Sequence, residues 1–183
     1  MKRLFLVVSL ALTLVPALAQ NHKDYTLPEV PKRAQYIDFE SLDKGLWFAV
    51  QATPILFIGN GFGAQADIVA GYRTGEWFRL GAGISPGFAS GSFSLPVYLD
   101  LRGNLITQES RMAVPYWSLD AGYNFGRDFK GIYASPTVGV RVGGPRNDFI
   151  AGVTYILQFV QDPWSYASVT PLHAIGLRLG FEF

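Results

Sequence analysis

The stretch "LHAIGLRLGFEF" (Leu172–Phe183) alternates strictly between two kinds of side chain. The odd-numbered positions from Ile175 to Phe183 are all apolar, whereas the positions between them are glycine, arginine, glycine and glutamate. Alternation of this kind is typical of a β-strand with two unlike faces. The stretch therefore predicts a strand whose apolar face meets lipid and whose other face meets a crowded polar interior.

The beginning of the chain has the pattern of a secretory signal peptide. Lys2 and Arg3 precede an apolar run that ends in the small-residue motif Ala17-Leu18-Ala19. We therefore predict a signal peptide over 1–19, a polar periplasmic lead-in over 20–44 and a barrel over 45–183. An uncleaved membrane anchor is the alternative for the first segment, and Pro16 and the small-residue motif disfavour it.

The composition narrows the class of protein. Hydrophobic residues make up 49% of the chain and aromatic residues 15%, and cysteine is absent, which excludes disulfides and Cys-ligated metals. Removal of Lys2 and Arg3 lowers the 15 basic residues to 13 against 14 acidic ones, so no basic surplus predicts a nucleic-acid partner. No apolar run of about 18 residues follows the signal. An exported chain of this composition is expected to enter lipid as a closed β-barrel.

Eight alternating segments follow the lead-in, separated by connections rich in Gly, Asn and Pro. The segments are Gly45–Thr53, Gly63–Arg73, Trp77–Pro86, Leu95–Gly103, Val114–Phe125, Tyr133–Val142, Asp148–Val160 and Leu172–Phe183. Their lengths suit tilted strands that cross a bilayer. We predict an all-β fold, an eight-stranded antiparallel transmembrane up-and-down β-barrel. The stretch "GFASGSFS" is predicted to be an outer loop.

A soluble lipocalin-like barrel is the alternative, and it would reverse the two faces of every strand. Two observations disfavour it. Glycine is frequent on the polar faces, which suits a narrow lumen better than a hydrated exterior. Lysine is absent from all eight predicted strands, since the five lysines are Lys2, Lys23, Lys32, Lys44 and Lys130.

Aromatic residues are predicted to form two bands on the outer wall. With both ends of the barrel chain in the periplasm, the periplasmic band is Tyr72, Phe78, Trp117, Phe149, Phe181 and Phe183, and the outer band is Tyr123, Phe125, Tyr133 and Phe159. Such girdles are typical of the two membrane interfaces. Further aromatic residues lie at the predicted outer loops: Phe57, Phe62, Phe88, Phe93, Phe129, Trp164 and Tyr166. We expect these to contact lipid headgroups, with a protein partner as the alternative.

The predicted lumen faces carry four acids and five arginines. They are Asp67, Arg73, Arg79, Asp100, Arg102, Asp120, Arg141, Arg178 and Glu182. An eight-stranded barrel is filled by its own side chains, and buried charges need partners. We therefore predict a lumen closed by Arg–carboxylate pairs and an outer-membrane protein with a structural or interaction role. A narrow, porin-like ion path through the same charges is the alternative.

An enzyme is not predicted, and a lipid A-modifying enzyme is a further alternative. The candidates for a catalytic Ser–His pair are His173 with Ser165 or Ser168, and Asp162 is the nearest acid. His173 shares parity with Ile175, however, and is therefore expected to face the lipid interface. The second histidine of the mature chain, His22, lies in the lead-in. No spacing of His, Asp or Glu suggests a metal site, and no cofactor is predicted.

The signal, the eight alternating strands and the terminal aromatic together resemble small bacterial outer-membrane β-barrels of the opacity type and the OmpA/OmpX-like kind. The stretch "KGLWFAVQA" also resembles small barrels of Bacteroidetes. The resemblance covers Gly45 to Phe183 and implies the bacterial outer membrane of the cell envelope as the location. It implies outer-membrane lipids and the assembly machinery as partners, with Phe181 and Phe183 as the assembly signal. It implies no particular activity.

Overall fold

A computed structural model describes residues 44–59, 61–89, 91–108, 111–126, 129–143, 147–161 and 169–183. The predicted signal peptide and the lead-in up to residue 43 lie outside these ranges. The described residues form one antiparallel sheet that closes on itself. No helix among them is long and apolar enough to span a bilayer.

Ten strands make up the sheet. They are β1 (Gly45–Phe57), β2 (Phe62–Arg73), β3 (Arg79–Ile84), β4 (Gly87–Ala89), β5 (Ser92–Ser94), β6 (Pro96–Asn104), β7 (Ala113–Asn124), β8 (Gly131–Gly143), β9 (Asp148–Gln161) and β10 (Val169–Glu182). Strands β3 and β4 follow one another along a single span of the barrel wall, and so do β5 and β6. The wall therefore has eight spans, and the predicted fold class is confirmed.

The barrel closes where the last strand pairs with the first. Strand β10 is antiparallel to β1, from Ala49 opposite Glu182 to Phe57 opposite Ala174. The Phe48 N–H donates to the Phe183 carbonyl at 3.1 Å, and the Phe183 N–H donates to the Phe48 carbonyl at 2.8 Å. Because β1 also pairs with β2 along its whole length, neither of its edges is free.

The third and fourth spans differ from the prediction. The third span begins at Arg79 rather than Trp77, and it is interrupted at Ser85 and Pro86. Proline has no N–H to donate, but the Pro86 carbonyl still accepts from Ala66 at 3.0 Å. The predicted loop "GFASGSFS" is mostly the β4–β5 hairpin, whose turn contains Gly91 at a φ of 87°. Glycine adopts this left-handed conformation without steric cost.

The two faces of the wall are the reverse of those in a soluble barrel. Large apolar side chains such as Leu46, Leu99 and Val138 point outward and are exposed. Arginine, aspartate, glutamate, asparagine and serine point inward and are buried. This arrangement agrees with the predicted transmembrane barrel and contradicts the lipocalin-like alternative.

The two predicted aromatic bands lie on the outer wall, with Tyr133 as the exception. Among the aromatic residues predicted at the outer loops, Phe57 instead packs inward against the buried cluster, with its ring stacked on Phe129. Tyr133 was predicted in the outer band but lies inside the barrel, where its ring is 5.9 Å from that of Tyr98 and its hydroxyl accepts from Gln65 at 3.2 Å. Tyr133 alternates in phase with Ser135 and Thr137, which also face the lumen. Its position next to the strand end, rather than its parity, led to the wrong prediction.

Rings that lie over glycines pack the inside of the wall. A Cβ at Gly83 would lie 2.7 Å from the ring of Tyr98, and one at Gly81 would lie 2.9 Å from the ring of Trp47. The ring of Tyr116 covers Gly139 in the same way, at 2.8 Å. The lumen is therefore rich in glycine because large side chains from neighbouring strands occupy the space that other side chains would need.

Candidate functional site

Among the described residues, ten buried side chains of Asp, Glu and Arg lie in the lumen, five acids and five bases. All nine residues predicted from the sequence are among them, each no more than 2% exposed. The tenth is Asp148, at the start of β9, which sequence reasoning missed. Its parity with Gly152 and Thr154 was the signal that would have identified it. The structure thus brings the predicted set together and adds the acid that balances its charge.

Glu182 is the centre of the cluster at the end of the barrel where β10 finishes. Its Oε1 accepts from Arg73 Nη2 at 3.2 Å and from Arg79 Nη1, and its Oε2 accepts from Arg102 Nη1 at 3.2 Å. Arg141 Nη2 lies 3.6 Å from Oε1. One carboxylate therefore meets arginines from four different strands.

The arginines around Glu182 have further partners. Arg102 holds Asp100 through two hydrogen bonds, of 2.7 Å from Nε and 2.5 Å from Nη2, and its guanidinium carbon lies 4.3 Å from the centre of the Trp47 ring. Arg141 donates to Asp148 and, at 2.7 Å, to Asn104 Oδ1. Bidentate and stacked contacts of this kind hold a guanidinium in one orientation.

A second charged layer lies near the middle of the barrel. Arg178 Nη2 donates to Asp120 Oδ2 at 2.6 Å, and Arg178 Nε lies 4.0 Å from Asp67 Oδ2. Asp67 also accepts from neutral donors, among them Thr53 Oγ1 at 2.9 Å and the Tyr98 hydroxyl at 3.2 Å. Arg178 thus faces two carboxylates that come from different strands, Asp120 on β7 and Asp67 on β2.

The part of the lumen farther from Glu182 is less polar. Ile55, Ile156 and Tyr133 are buried there, and the ring of Phe57 stacks on that of Phe129 at 6.5 Å. Ile55, Phe57, Tyr133 and Ile156 border a cavity of about 20 Å³. Such a volume is enough for a single water molecule.

Glu76, a carboxylate that was not predicted to have a role, holds the segment of Thr107 and Gln108 at the Glu182 end of the barrel. Glu76 accepts from the Thr107 hydroxyl at 3.1 Å and from the Gln108 N–H at 2.9 Å. Gln108 is buried, and its Nε2 lies 3.4 Å from the Gly143 carbonyl. Glu76 thereby braces the rim of the barrel around the charged cluster.

The residues considered for catalysis are not brought together among the described residues. His173 faces outward and its Nδ1 lies 2.6 Å from the Tyr155 hydroxyl on the neighbouring strand. Ser165, Ser168, Asp162 and His22 lie outside the described ranges, as do Trp164 and Tyr166. In the part of the chain that the structure describes, no group of His, Cys, Asp or Glu has the arrangement of a metal site.

The predicted assembly signal lies on the outer wall. Phe181 and Phe183 are both more than half exposed, and the Phe181 ring packs edge-on against Phe149 at 5.3 Å. Both side chains therefore point away from the lumen, in phase with Leu177 and Leu179.

No family model and no curated protein matches the chain. Among solved structures, Neisserial surface protein A (NspA) is similar, with 17% identity and a TM-score of 0.60 over 75% of this chain and 95% of that chain. The N-terminal β-barrel domain of Pseudomonas aeruginosa OprF has 17% identity and a TM-score of 0.48 over 76% and 99% of the two chains. The outer membrane protein OprG of the same organism has 13% identity and a TM-score of 0.46 over 75% and 94%.

The similarity to NspA concerns the fold. Two observations on this chain support the same fold independently: the pairing of β10 with β1, which closes the barrel, and the apolar side chains on its outer wall. The chain therefore has the fold of the small eight-stranded outer-membrane β-barrels.

Proposed function

We propose that the protein is an integral protein of the bacterial outer membrane with a structural or interaction role, not an enzyme, whose lumen is closed by Arg–carboxylate pairs. The observation that carries this proposal is the set of five arginines and five acids in the lumen, all no more than 2% exposed. An eight-stranded barrel has an interior only wide enough for side chains. Charges in that space obstruct it as long as they remain paired.

Some of the ion pairs cross the lumen, whereas Arg102–Asp100 and Arg141–Asp148 lie along its wall. In the order of the sheet, β6 and β10 lie four strands apart in either direction, so Arg102 and Glu182 come from opposite sides. Arg178 and Asp120 connect β10 with β7, three strands away. Separating such a buried pair leaves two uncompensated charges, which is strongly unfavourable. These crossings are the physical basis for a closed lumen.

The outer wall supplies the proposed partners. Its apolar side chains would contact outer-membrane lipids, and Phe181 and Phe183 would be read by the outer-membrane assembly machinery. Exposed rings at the rim opposite Glu182, such as Phe62, Phe88 and Phe93, suit contacts with lipid headgroups or with a protein partner.

Electrical recording across planar bilayers tests the closed lumen. We expect the refolded protein to give no steady conductance, because Arg102 and Arg178 remain paired. Arg102→Ala and Asp120→Ala should each increase ion leakage by removing a crossing contact. Glu76→Gln is the matched control, since it alters a carboxylate of the rim and leaves the lumen pairs in place. A steady conductance in the parent protein that is lost in Arg102→Ala or Asp120→Ala would instead establish a narrow pore.

A further inference from the structure

The alternation in β10 does not by itself determine how this strand pairs with β1. Its outward side chains are all apolar from Ile175 to Phe183, and its inward positions alternate between glycine and charge. A slip by one residue would exchange the two faces, but a slip by two would keep every apolar side chain outside. Some other feature of β10 must distinguish the observed register, Ala52 opposite Leu179, from its neighbours.

The two charges of β10 are matched to the two charged layers of the lumen. Arg178 lies 2.6 Å from Asp120 and 4.0 Å from Asp67. The side chains that donate hydrogen bonds to Asp67 among the described residues, such as Thr53 and Tyr98, are neutral. Four positions further along, Glu182 meets the arginine cluster of β2, β3, β6 and β8. The strand thus brings a cation to acids and an acid to cations.

A slip by two residues would break this match. Two residues correspond to about 6.6 Å along a strand, which is beyond the reach of an ion pair. A slip in one direction carries Glu182 towards Asp67 and Asp120, and a slip in the other carries Arg178 towards Arg79 and Arg102. Either displacement separates both charges from their partners and moves one of them about halfway towards charges of its own sign, and interactions between charges are strong in a protein interior.

We propose that Arg178 and Glu182 form a charge key that selects the register in which β10 closes the barrel on β1. The outward Phe, Leu and Ile side chains place the strand in lipid, and the charge key sets its position along the seam. The four arginines that pair with Glu182 and the two acids that face Arg178 all lie on other strands. The charge key can therefore act only when β10 joins those strands, which is the step that closes the barrel.

Disulfide trapping between the two strands tests the proposal, and the natural absence of cysteine makes the background low. Leu179→Cys is combined in turn with Ala52→Cys, Val50→Cys or Pro54→Cys, all on the outward face of β1. The first pair reports the observed register, and the other two report slips of two residues in either direction. Directly paired residues have Cα atoms about 5.5 Å apart, whereas disulfides are excluded beyond about 7 Å.

Glu182→Gln, Arg178→Gln and the charge exchange Arg178→Glu with Glu182→Arg are compared in this assay, and Glu76→Gln serves as the control. We expect the parent and Glu76→Gln to form the 52–179 disulfide alone. The Glu182→Gln chain should refold into lipid vesicles at least about tenfold more slowly and form a 50–179 or 54–179 disulfide as well.

The charge exchange should show the greatest loss of the 52–179 disulfide, even though composition and both terminal aromatics are kept. If this chain fails to refold, the two glutamine variants decide the question. Refolding of both at the parental rate with the 52–179 disulfide alone would overturn the proposal. An equal loss of rate in Glu76→Gln would overturn it as well, because the effect would not be specific to the key.

Discussion

At the scale of the residue, the position of an aromatic ring in the lumen depends on a glycine of the neighbouring strand, because the ring occupies the space beside that glycine. The ring of Tyr98 lies over Gly83 while its hydroxyl donates to Asp67 at 3.2 Å. The ring therefore has two tasks, since it fills the space above a neighbouring strand and it orients a carboxylate of the middle layer. A larger residue in place of Gly83 should therefore displace the Tyr98 ring and disturb its hydrogen bond to Asp67.

Gly83→Ala should destabilise the barrel by about 1–3 kcal/mol, because overfilling a packed interior forces the neighbouring side chain from its position. The new Cβ would lie 2.7 Å from the Tyr98 ring. The measurement is urea unfolding of the protein in lipid vesicles. In a double-mutant cycle, Tyr98→Leu should remove much of the cost of the alanine. Strict additivity of the two changes would show that the ring and the glycine are not coupled.

At the scale of the strand, each element has one face towards lipid and the other towards the packed lumen. Its outward side chains need only be apolar, since lipid chains adapt to their shape, whereas its inward side chains need particular partners. The depth along the strand also matters, because the centre of a bilayer excludes charge far more strongly than its interface does.

Leu99→Arg should destabilise the protein by about 2–4 kcal/mol, because Leu99 lies midway along its span of the wall. Leu56→Arg is the matched control, since Leu56 is exposed to the same extent, 63%, but lies at the loop end of β1. Its cost should be only about 0–1 kcal/mol. Unfolding in vesicles measures both, and equal costs at the two depths would contradict a wall that crosses the bilayer.

The strands and their faces could be predicted because alternation is a local signal that each segment carries by itself. The interruption at Ser85 and Pro86 and the hairpin that continues beyond it could not, since they depend on pairing with β2. Trp47 illustrates the limit within one strand: it is followed by the equally bulky Phe48, and only the structure, through the burial of Trp47 and its contacts with Arg102 and Gly81, shows that it faces inward. The charged residues were predictable by parity, but their particular pairs depend on which strands lie opposite.

For the molecule as a whole, closure is the property on which the others depend. Every span has a neighbour on both sides, so the backbone has its hydrogen bonds within the wall. A sheet that is satisfied in this way gives detergent no edge at which to begin unfolding it.

The refolded protein should therefore migrate faster on an SDS gel without heating than after boiling, because the closed barrel remains compact until heat opens it. The pair of samples from one preparation is its own control. Identical migration of the two samples, or recovery of the chain in the soluble periplasmic fraction, would contradict an integral membrane barrel.

The opposite demands on the two faces of the wall have an evolutionary consequence. Outward positions can exchange one apolar residue for another independently, so they are free to drift. Charged lumen residues should change mainly in compensating groups, because four arginines share Glu182 and Arg178 faces both Asp67 and Asp120. Divergence should then accumulate as scattered changes outside and rare coordinated replacements inside.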